Sequence, residues 1–168
     1  SNRGAYGRHF ARSFVTTLTL VHIRHLVFEG LFFACSVYPG NLIASAGYLE
    51  HRIIYEAHEN FATASADFRN IHLGVDFWAQ AGTPVFSVAD GVVHSFQVNP
   101  GSGNYGPTII LFHPHKGIYS LYGHLAEQDL EGLSVGKPIA AGQLLCHLGE
   151  PSENGGWPPH LHFQLIRD

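Results

Sequence analysis

From about Tyr48 onward, apolar and polar positions alternate in short runs, each closed by Gly, Pro, Asn or Asp. Alternation at period two marks a strand with one buried face, and those residues mark turns. "HRIIYEA" is the first such run, rich in β-branched and aromatic residues. "GTPVFSVADGVVHSFQV" has a Pro lead-in, alternating apolar positions and Asp90-Gly91, a dipeptide that signals a hairpin. "NPGSGNYGP" reads as a glycine-rich loop, and "TIILFHP" and "GIYSLYGHL" as two strands joined by "HKG". "VGKPIAAGQLLCHLG" repeats the plan of "AGTPVFSVADGVV": Gly-x-Pro, a short apolar strand, a turn, a second strand. "HLHFQLI" closes the series, and no sustained helical period occurs anywhere. The pattern predicts a mostly β, compact, sandwich-like fold of antiparallel strands, with one core sheet and loops gathered around one groove.

Residues 1–47 do not share this pattern. Arg3, Arg8 and Arg12 precede the apolar stretch "SFVTTLTLVHI", which resembles the start of an export signal. Arg24 and Glu29 then interrupt it, so no clear transmembrane span is expected. The division predicted is an N-terminal segment over 1–47, a signal remnant or an extension, and a β domain over 48–168. With no Met, and an end directly after "HLHFQLIRD", the chain is expected to be a piece of a longer polypeptide.

Composition changes this picture in one respect. The chain has 168 residues, 45% hydrophobic and 13% charged, which is globular and long enough for one real core. A formal net charge of -4 argues against a nucleic-acid partner. The outlier is histidine, 13 against 9 Lys plus Arg, so imidazole chemistry has to be sought by spacing. The two cysteines do not define a disulfide or a compartment, and Cys146 in "QLLCHLG" is expected to pack as a small apolar residue.

His160 and His162 are two apart on a strand, so their rings share a face while Leu161 turns to the core. Two such imidazoles suit two metal ligands, one ligand plus one acid–base group, or a solvent-facing polar edge. His72 and Asp76 lie four apart, but Gly74 and Val75 disfavour a helix. A turn through Leu73-Gly74 into a strand at Val75 brings imidazole and carboxylate toward one point. Two nitrogens and a carboxylate oxygen suit a three-ligand zinc site with its fourth position open. His124 ends the strand "LYGHL" and by itself reads as a surface or capping histidine. His94, His113, His115 and His147 have no comparable partners.

Together, "HLGVD" at 72–76, "YGHL" at 122–125 and "HLHF" at 160–163 resemble the motifs of the M23 metallopeptidases, the lysostaphin-like or LytM-type peptidoglycan endopeptidases. "AGTPVFSVADGVV", "GNYGP" and "VGKPIAAGQ" are similar in spacing, and the resemblance runs over roughly residues 70–165. It implies a lysostaphin-type fold built on a duplicated hybrid motif. It implies one Zn2+ per chain held by His72, Asp76 and His162, with His124 and His160 as unligated catalytic histidines. It also implies hydrolysis of a peptide bond in peptidoglycan stem or cross-bridge peptides, at the cell envelope or outside the cell. Pro107-Thr108 after Tyr105-Gly106, and "ENGGWPPHLHF" before the last motif, depart from the usual pattern. They resemble the M23 modules of multi-enzyme fusions, a setting that allows a cytoplasmic location.

Three other readings compete. A phosphoryl carrier of the sugar-transport IIA type would use paired histidines without a metal, but leaves Asp76 without a role. A lipoyl- or biotinyl-type carrier needs a Lys at a hairpin tip, a position that neither Lys116 nor Lys137 fits. A catalytically inactive M23-like binding or activator domain would lack ligands, whereas all five positions are filled here.

Overall fold

The computed structural model describes residues 23–24, 34–35, 44–46, 48–52 and 70–167. Most of the predicted export stretch lies outside them. Its last residue, Ile23, falls in a two-residue strand β1 (Ile23–Arg24), paired with β2 (Ala34–Cys35).

The main sheet has seven strands, every neighbouring pair antiparallel, so the predicted fold class holds. β8 (Gly91–Asn99), β9 (Gly106–His113) and β10 (Ile118–Gly123) form a meander, with β13 (His160–Ile166) beside β10. β6 (Val75–Trp78) and β3 (Ala44–Ala46) continue to one edge, and β11 (Pro138–Ile139) lies at the other. One edge strand thus comes from within residues 1–47. β4 (Glu50–His51) and β5 (Ile71–His72) pair separately at the groove. The rest of "HRIIYEA" beyond Arg52 lies outside the described residues. No α-helix occurs among the described residues, where the one helical element is a 3-10 turn at Glu127–Leu130.

The meander alternates as its sequence does. On β9, Ile109, Leu111 and His113 are buried while Ile110 and Phe112 are half-buried. Val93, Ile109, Leu111, Tyr122, Leu125 and Leu161 form the centre of the core, each adding about 1.5–3 kcal/mol by leaving water. Cys146 packs among them as expected, and burial pushes its thiol well above the usual range.

The hairpin expected at Asp90-Gly91 does not form. β7 (Pro84–Phe86) leaves the main sheet and pairs with β12 (Leu144–His147), while β8 pairs with β11. The first strand of each half-repeat therefore pairs with the second strand of the other. Bonds between the halves hold this exchange: Ser87 N donates to Gln143 O, Gly142 N to Ser87 O and Ala141 N to the Asp90 carboxylate. Asp90 is spent on the opposite half-repeat and is not free to close a local turn.

Candidate metal centre

Register brings the site together. On the antiparallel pair β13–β6, His162 lies directly opposite Asp76 and His160 opposite Trp78, so all four side chains share one face. Leu161, between the histidines, points to the core. His160 stacks on Trp78, ring centroids 5.6 Å apart. His72 arrives from β5 through the bend at Leu73-Gly74, as the spacing predicted. The solvent-facing alternative fails: His72 and Asp76 are 1% exposed, His162 4% and His160 5%.

Three atoms converge there. His72 Nε2 lies 2.9 Å from His162 Nδ1 and 3.1 Å from Asp76 Oδ1, and His162 Nδ1 lies 3.1 Å from the same oxygen. With neutral rings, no choice of tautomers satisfies this triangle. If both nitrogens carry hydrogen, both can donate to Oδ1 but they face each other as two donors. If only one does, the other presents its lone pair to the carboxylate. If neither does, all three edges are repulsive. A cation at the centre accepts all three lone pairs at once, and its attraction outweighs the repulsion along the edges. The edges are also near the roughly 3.3 Å that separates two ligands at about 2.0–2.1 Å on a tetrahedral zinc. The donor set therefore fits zinc.

The surroundings orient these donors. Gln164 Oε1 lies 3.4 Å from His162 Nε2 and favours hydrogen there, which leaves Nδ1 as the donor atom. Arg52 Nη1 donates to Asp76 Oδ2 at 2.6 Å, so Oδ1 alone faces the imidazoles. Burial by itself raises the pKa of Asp76, but the imidazoles of His162, His72 and His160 around it outweigh burial and hold the carboxyl well below its ordinary range.

His124 and His160 border the triangle, their ring centroids 4.3 Å apart. His124 Nδ1 lies 2.8 Å from Asn154 O, and His160 Nδ1 lies 2.7 Å from Pro158 O. A carbonyl only accepts, so each Nδ1 carries hydrogen and each Nε2 keeps its lone pair. His160 Nε2 is 3.9 Å from Asp76 Oδ1. Burial, and then the neighbouring His160, push His124 down to about 3, and burial lowers His160 as well. Both rings are neutral near pH 7. His124 has φ +63, a backbone conformation that costs a residue with a Cβ about 1–2 kcal/mol. Its N–H bonds Tyr105 O and its carbonyl accepts from Gly149 N, so the loops on both sides hold the turn.

Sequence reasoning passed over three contributors. Arg52 was one letter in a predicted strand. Asn154, fully buried, binds Gly149 O, Trp157 O and Trp157 N, and so builds the loop whose carbonyl orients His124. Gln164 is marked only by being two residues beyond His162. Two other described histidines sit elsewhere: His113 is buried against Ser120 Oγ at 2.7 Å, and His147 bonds Asp129. A cavity of about 410 Å³ opens over the triangle, with Leu73, Tyr105, Trp157 and Gln164 in its wall.

The chain matches the description "Peptidase family M23" over residues 70–168. It is 34% identical over 95 residues to the DD-carboxypeptidase/endopeptidase Mpg of Neisseria meningitidis, covering 56% of this chain and 20% of that protein. It is 30% identical over 105 residues to the L-Ala--D-Glu endopeptidase of Bacillus subtilis, covering 60% and 31%. Lysostaphin of Staphylococcus staphylolyticus is 36% identical over 97 residues, covering 57% and 18%. The solution structure of lysostaphin superposes with a TM-score of 0.50 at 26% identity, covering 75% of this chain and 44% of that one. The chain spans about a fifth to a third of the curated relatives it matches. The match to the family's description takes in the three motifs and more than half of the sequence, and the chain belongs to peptidase family M23.

Proposed function

We propose that this domain is a zinc-dependent endopeptidase that hydrolyses a peptide bond in peptidoglycan stem or cross-bridge peptides. One zinc ion is held by His72, Asp76 and His162, and His124 and His160 are the catalytic histidines. The observation that carries the reading is the frustrated donor triangle beside two neutral imidazoles whose Nε2 lone pairs are free. A relative named as a peptidoglycan DD-endopeptidase, 31% identical over 96 residues, supports the substrate class.

Zinc in this place supplies a Lewis acid that acidifies a water molecule and polarises the scissile carbonyl. The protein's own groups do the rest. The wall of Leu73, Tyr105 and Trp157 binds an extended peptide and shields the reacting bond from bulk water. One Nε2 of the His124–His160 pair accepts the proton released by the attacking water, and the proton then passes to the leaving amine. The rings are too close to be charged together, so the pair takes up one added proton at a time. The imidazole that is protonated at Nε2 can also donate to the carbonyl oxygen as negative charge builds on it. The phosphoryl-carrier reading leaves Asp76, within 3.1 Å of two imidazoles, without a purpose.

The test combines elemental analysis with muropeptide digestion. One zinc per chain is expected, with cleavage abolished by chelation. His72→Ala, Asp76→Ala and His162→Ala should lose stoichiometric zinc. His124→Ala and His160→Ala should keep it and lose at least about 10²-fold in rate. Unchanged cleavage in both of the latter variants, zinc intact, would refute the mechanism.

A further inference from the structure

Arg52 lies outside the stretch that matches the family, yet its guanidinium reaches the metal-binding carboxylate. Nη1 donates to Asp76 Oδ2 at 2.6 Å, while Nη2 and Nε both donate to Glu50 Oε2, at 3.0 and 3.2 Å. Backbone bonds fix this strip against the site. Leu49 N donates to His72 O at 2.8 Å and Arg52 N to Asn70 O at 2.7 Å, so β4 is laced to the strand that carries His72. The Arg52 side chain is 17% exposed and Asp76 is 1% exposed, so the pair is only weakly screened by solvent.

We propose that Arg52, oriented by Glu50, is a positioning residue that keeps Asp76 monodentate and so sets the coordination number of the metal. A carboxylate with both oxygens free can swing to chelate an ion through both. Here Oδ2 is tied by a charge-assisted bond, and only Oδ1 is left to the donor triangle. A planar guanidinium can serve the two carboxylates at once, which the single ammonium of Lys cannot do with the same geometry. The inference rests on the metal assignment proposed above.

Charge and positioning predict opposite signs, which makes the idea testable. As a charge alone, Arg52 repels a dication, and its removal should tighten metal binding. As a positioning group, its removal should loosen it. Glu50 offsets the repulsion: the Glu50–Arg52–Asp76 chain sums to one negative charge, so the orienting role survives without cancelling the pull on the ion.

The experiment titrates zinc into metal-free wild-type, Arg52→Ala and Glu50→Gln domains against a chromophoric chelator, and records the visible spectrum of each with cobalt(II) in place of zinc. Arg52→Ala should bind zinc at least about 10-fold more weakly, as loss of an outer-shell partner does. Its cobalt spectrum should lose intensity as coordination rises above four. Glu50→Gln, an exposed change that frees only the far side of the guanidinium, should shift both readouts the same way by less. Tighter or unchanged zinc binding with an unchanged cobalt spectrum in Arg52→Ala overturns the inference. If Arg52→Ala lacks the wild-type far-UV circular dichroism, Glu50→Gln carries the test, and wild-type behaviour there overturns it. Failure of the wild-type domain to bind zinc would instead refute the metal assignment itself.

Discussion

Gly74→Ala isolates one steric requirement of the proposed metal centre. Gly74 does not take a positive φ, so the penalty for alanine there is spatial. A Cβ there would sit 2.5 Å from His162 Cε1, 2.6 Å from His162 Nε2 and 2.8 Å from Phe163 O. Carbon atoms in contact are ordinarily about 3.5–4.0 Å apart, so the His162 ring has to retreat by about 1 Å. The Phe163 carbonyl cannot yield cheaply, because Phe163 is paired with Val75 in the sheet. Metal–ligand distances tolerate about 0.2 Å, so a displacement several times larger removes His162 Nδ1 from the donor triangle. We expect at least about a 10²-fold loss of zinc affinity, the upper end for an outer-shell change. A stability loss of about 1–3 kcal/mol from overpacking should accompany it. Chelator competition measures the first and urea unfolding of the metal-free domain the second. Gly82→Ala is the control: φ +78 with nothing within 4 Å of the added Cβ, so it should cost stability and leave zinc untouched. Zinc affinity in Gly74→Ala within about threefold of wild type would refute the reasoning.

His124→Gly should be at least as stable as His124→Ala, by about 1 kcal/mol, because φ +63 reverses the usual order of the two residues; urea midpoints of both variants check this. His113→Ala should lose about 2–3 kcal/mol, since it removes the bonds to Ser120 Oγ and Asp90 O and empties a buried site, yet leave zinc affinity unchanged; loss of zinc would move His113 into the proposed metal site. The metal-free domain should weaken as pH falls. His124 and His160 have lowered folded values against about 6.5 when unfolded, so below that pH, and for His124 down to about 3, the unfolded chain binds more protons. Stability is then complete above about pH 6.5 and lost below it by up to about 1.4 kcal/mol per pH unit for each group. A flat urea midpoint from pH 7 to 4 would contradict this.

The strand series, the absence of long helices among the described residues and the pairing of His160 with His162 on one face were legible in the sequence. Each depends on local periodicity, and alternation at period two survives in any sheet. The bend at Leu73-Gly74 was legible for the same reason, since Gly and Val disfavour helix locally. Motif order across the chain carried the family, because three spaced motifs together are far rarer than one. The tertiary structure decided what depends on partners distant in sequence. The exchange of strands between half-repeats hides in "ADGVV", where a local hairpin signal loses to hydrogen bonds from residues 141–143. The strain at His124 has no signature in "YGHL", because φ +63 is imposed by Tyr105 O and by Gly149 bonding back. Asn154 reads as one polar residue in a loop until its side chain is seen closing that loop on Trp157. Arg52 was invisible for the same reason. Twenty-four residues separate it from Asp76, and only the pairing of β4 with β5 brings the guanidinium to the carboxylate.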